Sequence, residues 1–193
     1  MFDTIGVVDH VVRAWLTTYR APWLDTLMLT ASDVGARGFV WVVTAAILFV
    51  FPPRRAGAWR LLLTVAFTYL VVDGVLKSLM WRPRPFDVLA DAYLIAAKPT
   101  NSSFPSGHAA SAVAGAIAAS RVLPEARMLW MLLALLIAFS RIYVGVHFPL
   151  DVLVGTLVGS GCALFVLGGR HPATYNSHVG RVLPLDSHAA PGL

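Results

Sequence analysis

Long apolar runs constrain this chain more than anything else in it. The segments 58–80, 109–122, 128–144 and 150–168 are dominated by apolar residues, and 38–51 is a fifth, shorter run. A helix that crosses the hydrocarbon core of a bilayer needs about 20 mostly apolar residues. Within lipid each backbone N–H and C=O must find its partner inside the structure, which leaves helices or closed barrels. Runs of this length, without strand-type alternation, predict helices. The run at 38–51 reaches spanning length only by continuing upstream through 24–34. The stretch 5–19 has apolar residues at 5, 8, 12, 15, 16 and 19 with Asp9 and Arg13 between them, the pattern of an amphipathic helix lying in the interface. The expected fold is therefore all-α: an integral membrane bundle of five or six transmembrane helices with an N-terminal amphipathic helix. Composition agrees, since charged residues make up 13% of the 193 residues, against about 25% in soluble domains.

The length fits one domain. Its expected limits are 1–170, membrane-embedded, followed by a polar, proline- and glycine-containing tail at 171–193. The net charge is +5, from 15 Lys+Arg and 10 Asp+Glu. The bases are scattered, with no basic tail, so nucleic acid is not an expected partner; the bilayer and an anionic lipid are. The single Cys162 excludes an intramolecular disulfide and a cysteine-based metal site, and reads as a small packing residue. No basic n-region precedes an apolar stretch at the start, so no cleavable signal is expected. The connections at 51–60 and 120–128 are short and basic and are assigned to the cytoplasm. The helices between them carry 81–107 and 141–149 to the opposite side.

Those two segments hold the residues that carry chemistry. Pro105-Ser106-Gly107-His108 opens an apolar run. Ser106 fits a helix cap, Gly107 lets backbone approach a ligand closely, and free N–H groups at a helix start attract an anion. Lys77, Arg82 and Arg84 gather near the end of the 58–80 run beside Pro83 and Pro85, which stop a regular helix. Arginine's planar fork suits a phosphate, and lysine adds a point charge. Asp73 lies one helical turn before Lys77 and is expected to pair with it. Ser140 and Arg141 end one run, and His147 and Asp151 begin the next. Asp151 follows His147 by four residues, so its carboxylate can fix the imidazole tautomer and raise the basicity of the other nitrogen.

In combination these residues resemble the type-2 phosphatidic acid phosphatase superfamily, whose signature reads K-x6-RP, PSGH and SR-x5-H-x3-D. Here the three parts are Lys77…Arg84-Pro85, Pro105-Ser106-Gly107-His108 and Ser140-Arg141…His147…Asp151, and each spacing matches. The resemblance implies that His147 is a nucleophile forming a phosphohistidine, with Asp151 orienting it. It implies that His108 protonates the leaving oxygen and later activates water. Lys77, Arg84, Ser106, Gly107 and Arg141 would hold the phosphoryl oxygens. Spacing from Lys77 selects Arg84 over Arg82, which is left as a headgroup contact. The family needs no metal or other cofactor, and a site rich in cationic side chains is a poor host for a divalent cation.

The expected activity is metal-independent hydrolysis of a lipid phosphate or diphosphate on the extracytoplasmic side of a bacterial-type cytoplasmic membrane. By analogy with compact bacterial members, an isoprenoid carrier such as undecaprenyl diphosphate is the favoured substrate. Phosphatidic acid and phosphatidylglycerol phosphate are the alternatives. A vanadate-dependent haloperoxidase shares such an anion pocket, but those proteins are soluble. A zinc hydrolase built on His108, His147 and Asp151 is opposed by the surrounding bases. A lipid-phosphate binder or carrier without turnover would need the bases but not both histidines and the aspartate.

Overall fold

The computed structural model describes residues 7, 11, 12, 18–89 and 92–168. The amphipathic stretch 5–19 lies mostly outside these residues and the tail 171–193 entirely so. Among the described residues all regular structure is helical. Helices α1 (Pro22–Val34) and α2 (Phe39–Val50) are joined by a short 3₁₀ turn, Ala36–Gly38. Next come α3 (Arg55–Tyr69), a π-helical stretch Leu70–Leu76 and a last turn α4 (Lys77–Leu79), which together form one continuous rod. The short α5 (Pro85–Val88) precedes α6 (Gly107–Val122), α7 (Arg127–Tyr143) and α8 (Pro149–Leu167). Prolines stand in the first turn of α1, α5 and α8, where a missing N–H costs nothing.

Three helical stretches are long and apolar enough to cross a membrane: Pro52–Leu79, Pro124–Tyr143 and Pro149–Leu167. The α1–α2 pair makes a fourth if counted as one span, bent by 48°. This is fewer than the five or six expected from sequence, for two physical reasons. The continuous run read through 24–51 is broken where Arg37 (φ 50°) and Gly38 (φ 73°) take left-handed backbone. The helix expected at 109–122 does form, but α6 has only 16 residues between its Ser106 cap and Leu123.

Helix α6 is the axis of the bundle. Ten of its residues are buried, nearly all of them Ala, Gly or Ser, and α3, α7 and α8 pack around it. Small side chains let helix backbones approach closely. A Cβ on Gly159 of α8 would run into the carbonyl of Ala110, and one on Gly155 into that of Ser106. Trp41 of α2 is fully buried and lies flat against Gly115. The outer surface carries Leu63, Leu70, Leu132, Leu157, Leu164 and Phe165, all well exposed, as suits contact with lipid. The loop 80–106, the turn 144–148 and the start of α6 lie at one end of this bundle. The connections at 51–54 and 123–126 lie at the other.

The backbone contact at Gly159 gives a direct test of α6–α8 packing. Gly159→Ala should destabilise the protein by about 1–3 kcal/mol, the usual cost of overpacking. Gly161→Ala, where nothing lies within 4 Å of the new methyl, should be neutral or slightly stabilising. Thermal unfolding of the two variants in detergent measures the difference.

Candidate active site

The turn between α7 and α8 lies at the end of the bundle where the sequence motifs meet. His147 N–H donates to the Arg141 carbonyl (3.3 Å), and Gly145, at φ 86°, packs so tightly against the Tyr93 carbonyl that a Cβ there would collide with it. The His147 side chain is thereby held 2% exposed, one turn before Asp151, which is fully buried. Nδ1 of His147 lies 3.6 Å from Oδ2 of Asp151. The same carboxylate accepts from Ser103 Oγ at 2.5 Å, from Phe148 N–H at 2.9 Å and from Arg82 Nη1 at 2.6 Å. Ser103 Oγ is also 3.4 Å from Nδ1 of His147. With Nδ1 turned to this carboxylate, the other ring nitrogen is left for the cavity that His147 lines.

That cavity holds about 220 Å³. Its wall includes Lys77, Asp73, Arg84, Gly107, His108, Arg141 and His147, which the three separate sequence motifs contribute. Lys77 Nζ donates to Asp73 Oδ1 at 2.6 Å, the pairing expected from their spacing. Asp73 in turn faces the first turn of α6, and a Cβ on Gly107 would sit 2.5 Å from its Oδ2. A side chain at 107 would therefore have to displace the Asp73 carboxylate. Arg141 is 6% exposed. Its Nη1 donates to Ser32 Oγ, while its buried Nε–H has no partner. An orphan guanidinium N–H is costly unless a ligand satisfies it.

Three expected residues sit differently from their simplest reading. Ser106 is fully buried as the α6 cap: its Oγ accepts from Ala109 N–H at 3.5 Å, its N–H donates to the Asp151 carbonyl, and its side chain is not part of the cavity wall. Arg84 is 3% exposed and directs Nε to Asn101 O (3.0 Å), Nη1 to Val146 O (2.8 Å) and Nη2 to Asn101 Oδ1 (2.8 Å) and Ser102 O (3.2 Å). It therefore clamps the loop 101–102 to the turn carrying His147 while still bordering the cavity. Arg82 lies behind His147, on Asp151, with its guanidinium 4.2 Å from the Phe148 ring centre. Ser103, Asn101, Tyr69 and Arg37 join or border the site, and none of them belongs to the three spaced motifs that the sequence offered. Among the described residues, no three of His, Cys, Asp and Glu come together in a way that would hold a metal.

Burial pushes the His147 imidazole down to about 4 from its ordinary 6.5, against the opposing pull of the Asp151 contact. The ring is thus neutral, with a lone pair available, throughout the physiological range. The linkage has a definite sign. Between pH 6.5 and about 4 only the unfolded ring takes up a proton, so stability falls as pH falls through that window. His147→Gln should flatten this part of the stability–pH curve relative to the unsubstituted protein, as read by thermal unfolding at a series of pH values.

Comparison with known proteins supplies the relationship. The model of the PAP2 superfamily matches residues 57–174. An undecaprenyl-diphosphatase of Sulfolobus acidocaldarius is 39% identical over 141 residues, which cover 71% of this chain and 66% of that protein, just under two thirds of its length. Phosphatidylglycerophosphatase B of Bacillus subtilis is 31% identical over 171 residues, 81% of this chain and 80% of the relative. Among solved structures, Aquifex aeolicus LpxE superposes with a TM-score of 0.71 at 34% identity, covering 81% of this chain and 92% of LpxE. The three motifs that meet at one cavity lie inside the matched region, and the chain belongs to the PAP2 superfamily.

Proposed function

We propose that this PAP2 lipid phosphatase removes the terminal phosphate of an isoprenoid diphosphate carrier such as undecaprenyl diphosphate, through a phosphohistidine on His147. The observation that carries the reading is the pairing of a buried, neutral His147 with the Asp151 carboxylate at the wall of a cavity ringed by Lys77, Arg84 and Arg141. In the first half-reaction the free nitrogen of His147 bonds to the terminal phosphorus as its bond to the bridging oxygen breaks and the lipid monophosphate leaves. His108 gives its proton to the departing oxygen. In the second, His108 takes a proton from water, which attacks phosphorus and releases inorganic phosphate and His147. The imidazolium that forms at His147 is stabilised by Asp151, and Arg82 and Ser103 hold that carboxylate in place. The Arg141 guanidinium, Lys77 and the first-turn N–H groups of α6 neutralise the transferring phosphoryl oxygens, the main task in such a reaction. Ser106 contributes by capping that helix.

The choice of an isoprenoid diphosphate rests on the relative of that name in S. acidocaldarius. Phosphatidylglycerol phosphate or phosphatidic acid is the second reading, supported by the B. subtilis phosphatidylglycerophosphatase, which this chain covers more fully. We place α6 in the membrane as a further span shielded by its neighbours. We place the cavity on the extracytoplasmic side of the cytoplasmic membrane. In support, Arg54, Arg60 and Arg121 line a groove at the opposite end of the bundle, where the positive-inside rule puts cytoplasmic bases. The bases at the cavity end are instead engaged: Arg82 on Asp151, Arg84 on carbonyls and Lys77 on Asp73.

Detergent-purified protein should release phosphate from undecaprenyl diphosphate in the presence of EDTA, and faster than from phosphatidic acid or phosphatidylglycerol phosphate. His147→Ala should lower kcat by at least about 10³-fold while remaining folded. Rapid quenching of the unsubstituted enzyme with labelled substrate should trap a phosphoprotein that survives alkali and is lost in acid. Undiminished turnover by His147→Ala would exclude this nucleophile. Ser103→Ala, which leaves the nucleophile but loosens its carboxylate, should cost about 10-fold in kcat with little change in KM.

A further inference from the structure

Most cations around the cavity are already committed. Lys77 is on Asp73, Arg84 has four hydrogen bonds to the loop 101–102 and Val146, and Arg141 donates from Nη1 to Ser32. Arg37 differs. It lines the same cavity, it is exposed, and among the described residues no hydrogen bond or ion pair holds its side chain. Its backbone is unusual as well. At φ 50° and ψ 23° it is the one non-glycine residue among those described with a left-handed conformation, which a Cβ disfavours. The bend is pinned, because a Cβ on the following Gly38 would lie 2.6 Å from the Val65 side chain of α3. The α1–α2 break therefore delivers an uncommitted guanidinium to the cavity wall in a conformation that glycine would adopt more easily. Tyr69, half exposed at the end of α3, adds a phenol to the same wall.

We infer that Arg37, with Tyr69 beside it, binds the lipid-linked phosphate of a diphosphate substrate and so selects diphosphates over monophosphates. The inference rests on the isoprenoid-diphosphate reading above. When the terminal phosphorus is bonded to His147, the bond that breaks is the one to the bridging oxygen, and the departing group is a lipid monophosphate that keeps the electron pair. A diphosphate brings more negative charge than a monophosphate, and that charge grows on the departing phosphate as the bond opens. An uncommitted cation at the cavity wall offsets it. A monophosphate presents an alkyl chain at that place and gains nothing from Arg37. The guanidinium acts on substrate charge and takes no proton.

Farnesyl diphosphate and farnesyl monophosphate are suitable probes, with the full chain in detergent and phosphate release as the readout. Arg37→Gln and Arg37→Gly should each lower kcat/KM for the diphosphate by about 10- to 100-fold, the worth of a charge-assisted hydrogen bond. Both should leave the monophosphate within about threefold, and Arg37→Lys should recover part of the loss. Arg37→Gly should unfold at a temperature no lower than the unsubstituted protein, because glycine suits the left-handed backbone. Equal losses on both substrates, or no loss on the diphosphate, overturn the inference while leaving the substrate reading intact. If the unsubstituted protein releases no phosphate from the diphosphate yet hydrolyses phosphatidic acid or phosphatidylglycerol phosphate, the substrate reading fails, and the inference fails with it.

Discussion

A single fully buried carboxylate ties the cavity end of this protein together. Asp151 accepts hydrogen bonds from Arg82, Ser103 and the Phe148 N–H, and lies beside the ring of His147. Those partners come from the segment after α4, the loop before α6, and the turn before α8. Burying an unpaired carboxylate would be prohibitive, so these segments must converge or the bundle end cannot close. The same convergence creates the site. The groups that make Asp151 tolerable in the interior also aim His147 at the cavity.

A second constraint is the concentration of cations against an apolar bundle. Guanidinium and ammonium groups are expensive there unless each has a partner or a bound anion. The structure resolves most of this internally. Arg84 becomes a clamp on carbonyls, Arg82 a support for Asp151, and Lys77 the partner of Asp73. Among the described residues the guanidinium of Arg37 is left over, and it borders the same cavity as both histidines.

The two levels of description meet at the small residues of α6. Its Ala-, Gly- and Ser-rich sequence lets the π-helical stretch after α3 and helix α8 come near enough for Asp73 to face Gly107 and for the Ser106 N–H to bond the Asp151 carbonyl. The depth and width of the cavity are set by these backbone contacts. Polar side chains fill the geometry that small side chains permit.

The sequence by itself determined the class of fold, the three motifs and the pairs that lie within one helix or turn. Asp73 with Lys77 and His147 with Asp151 are each four residues apart, so helical periodicity alone brings them near one another. Hydropathy located the helices, of which three, or four with the bent α1–α2 pair, are long and apolar enough to span among the described residues. It averages over the left-handed break at Arg37 and Gly38, and it cannot tell a helix wrapped by protein from one facing lipid. Only the tertiary structure decided which of Arg82 and Arg84 supports Asp151, and that Ser103 and Asn101 belong near the site. Those outcomes depend on contacts between segments 17 to 69 residues apart. Local spacing carries no information about them, because they are fixed by how closely whole helices can pack.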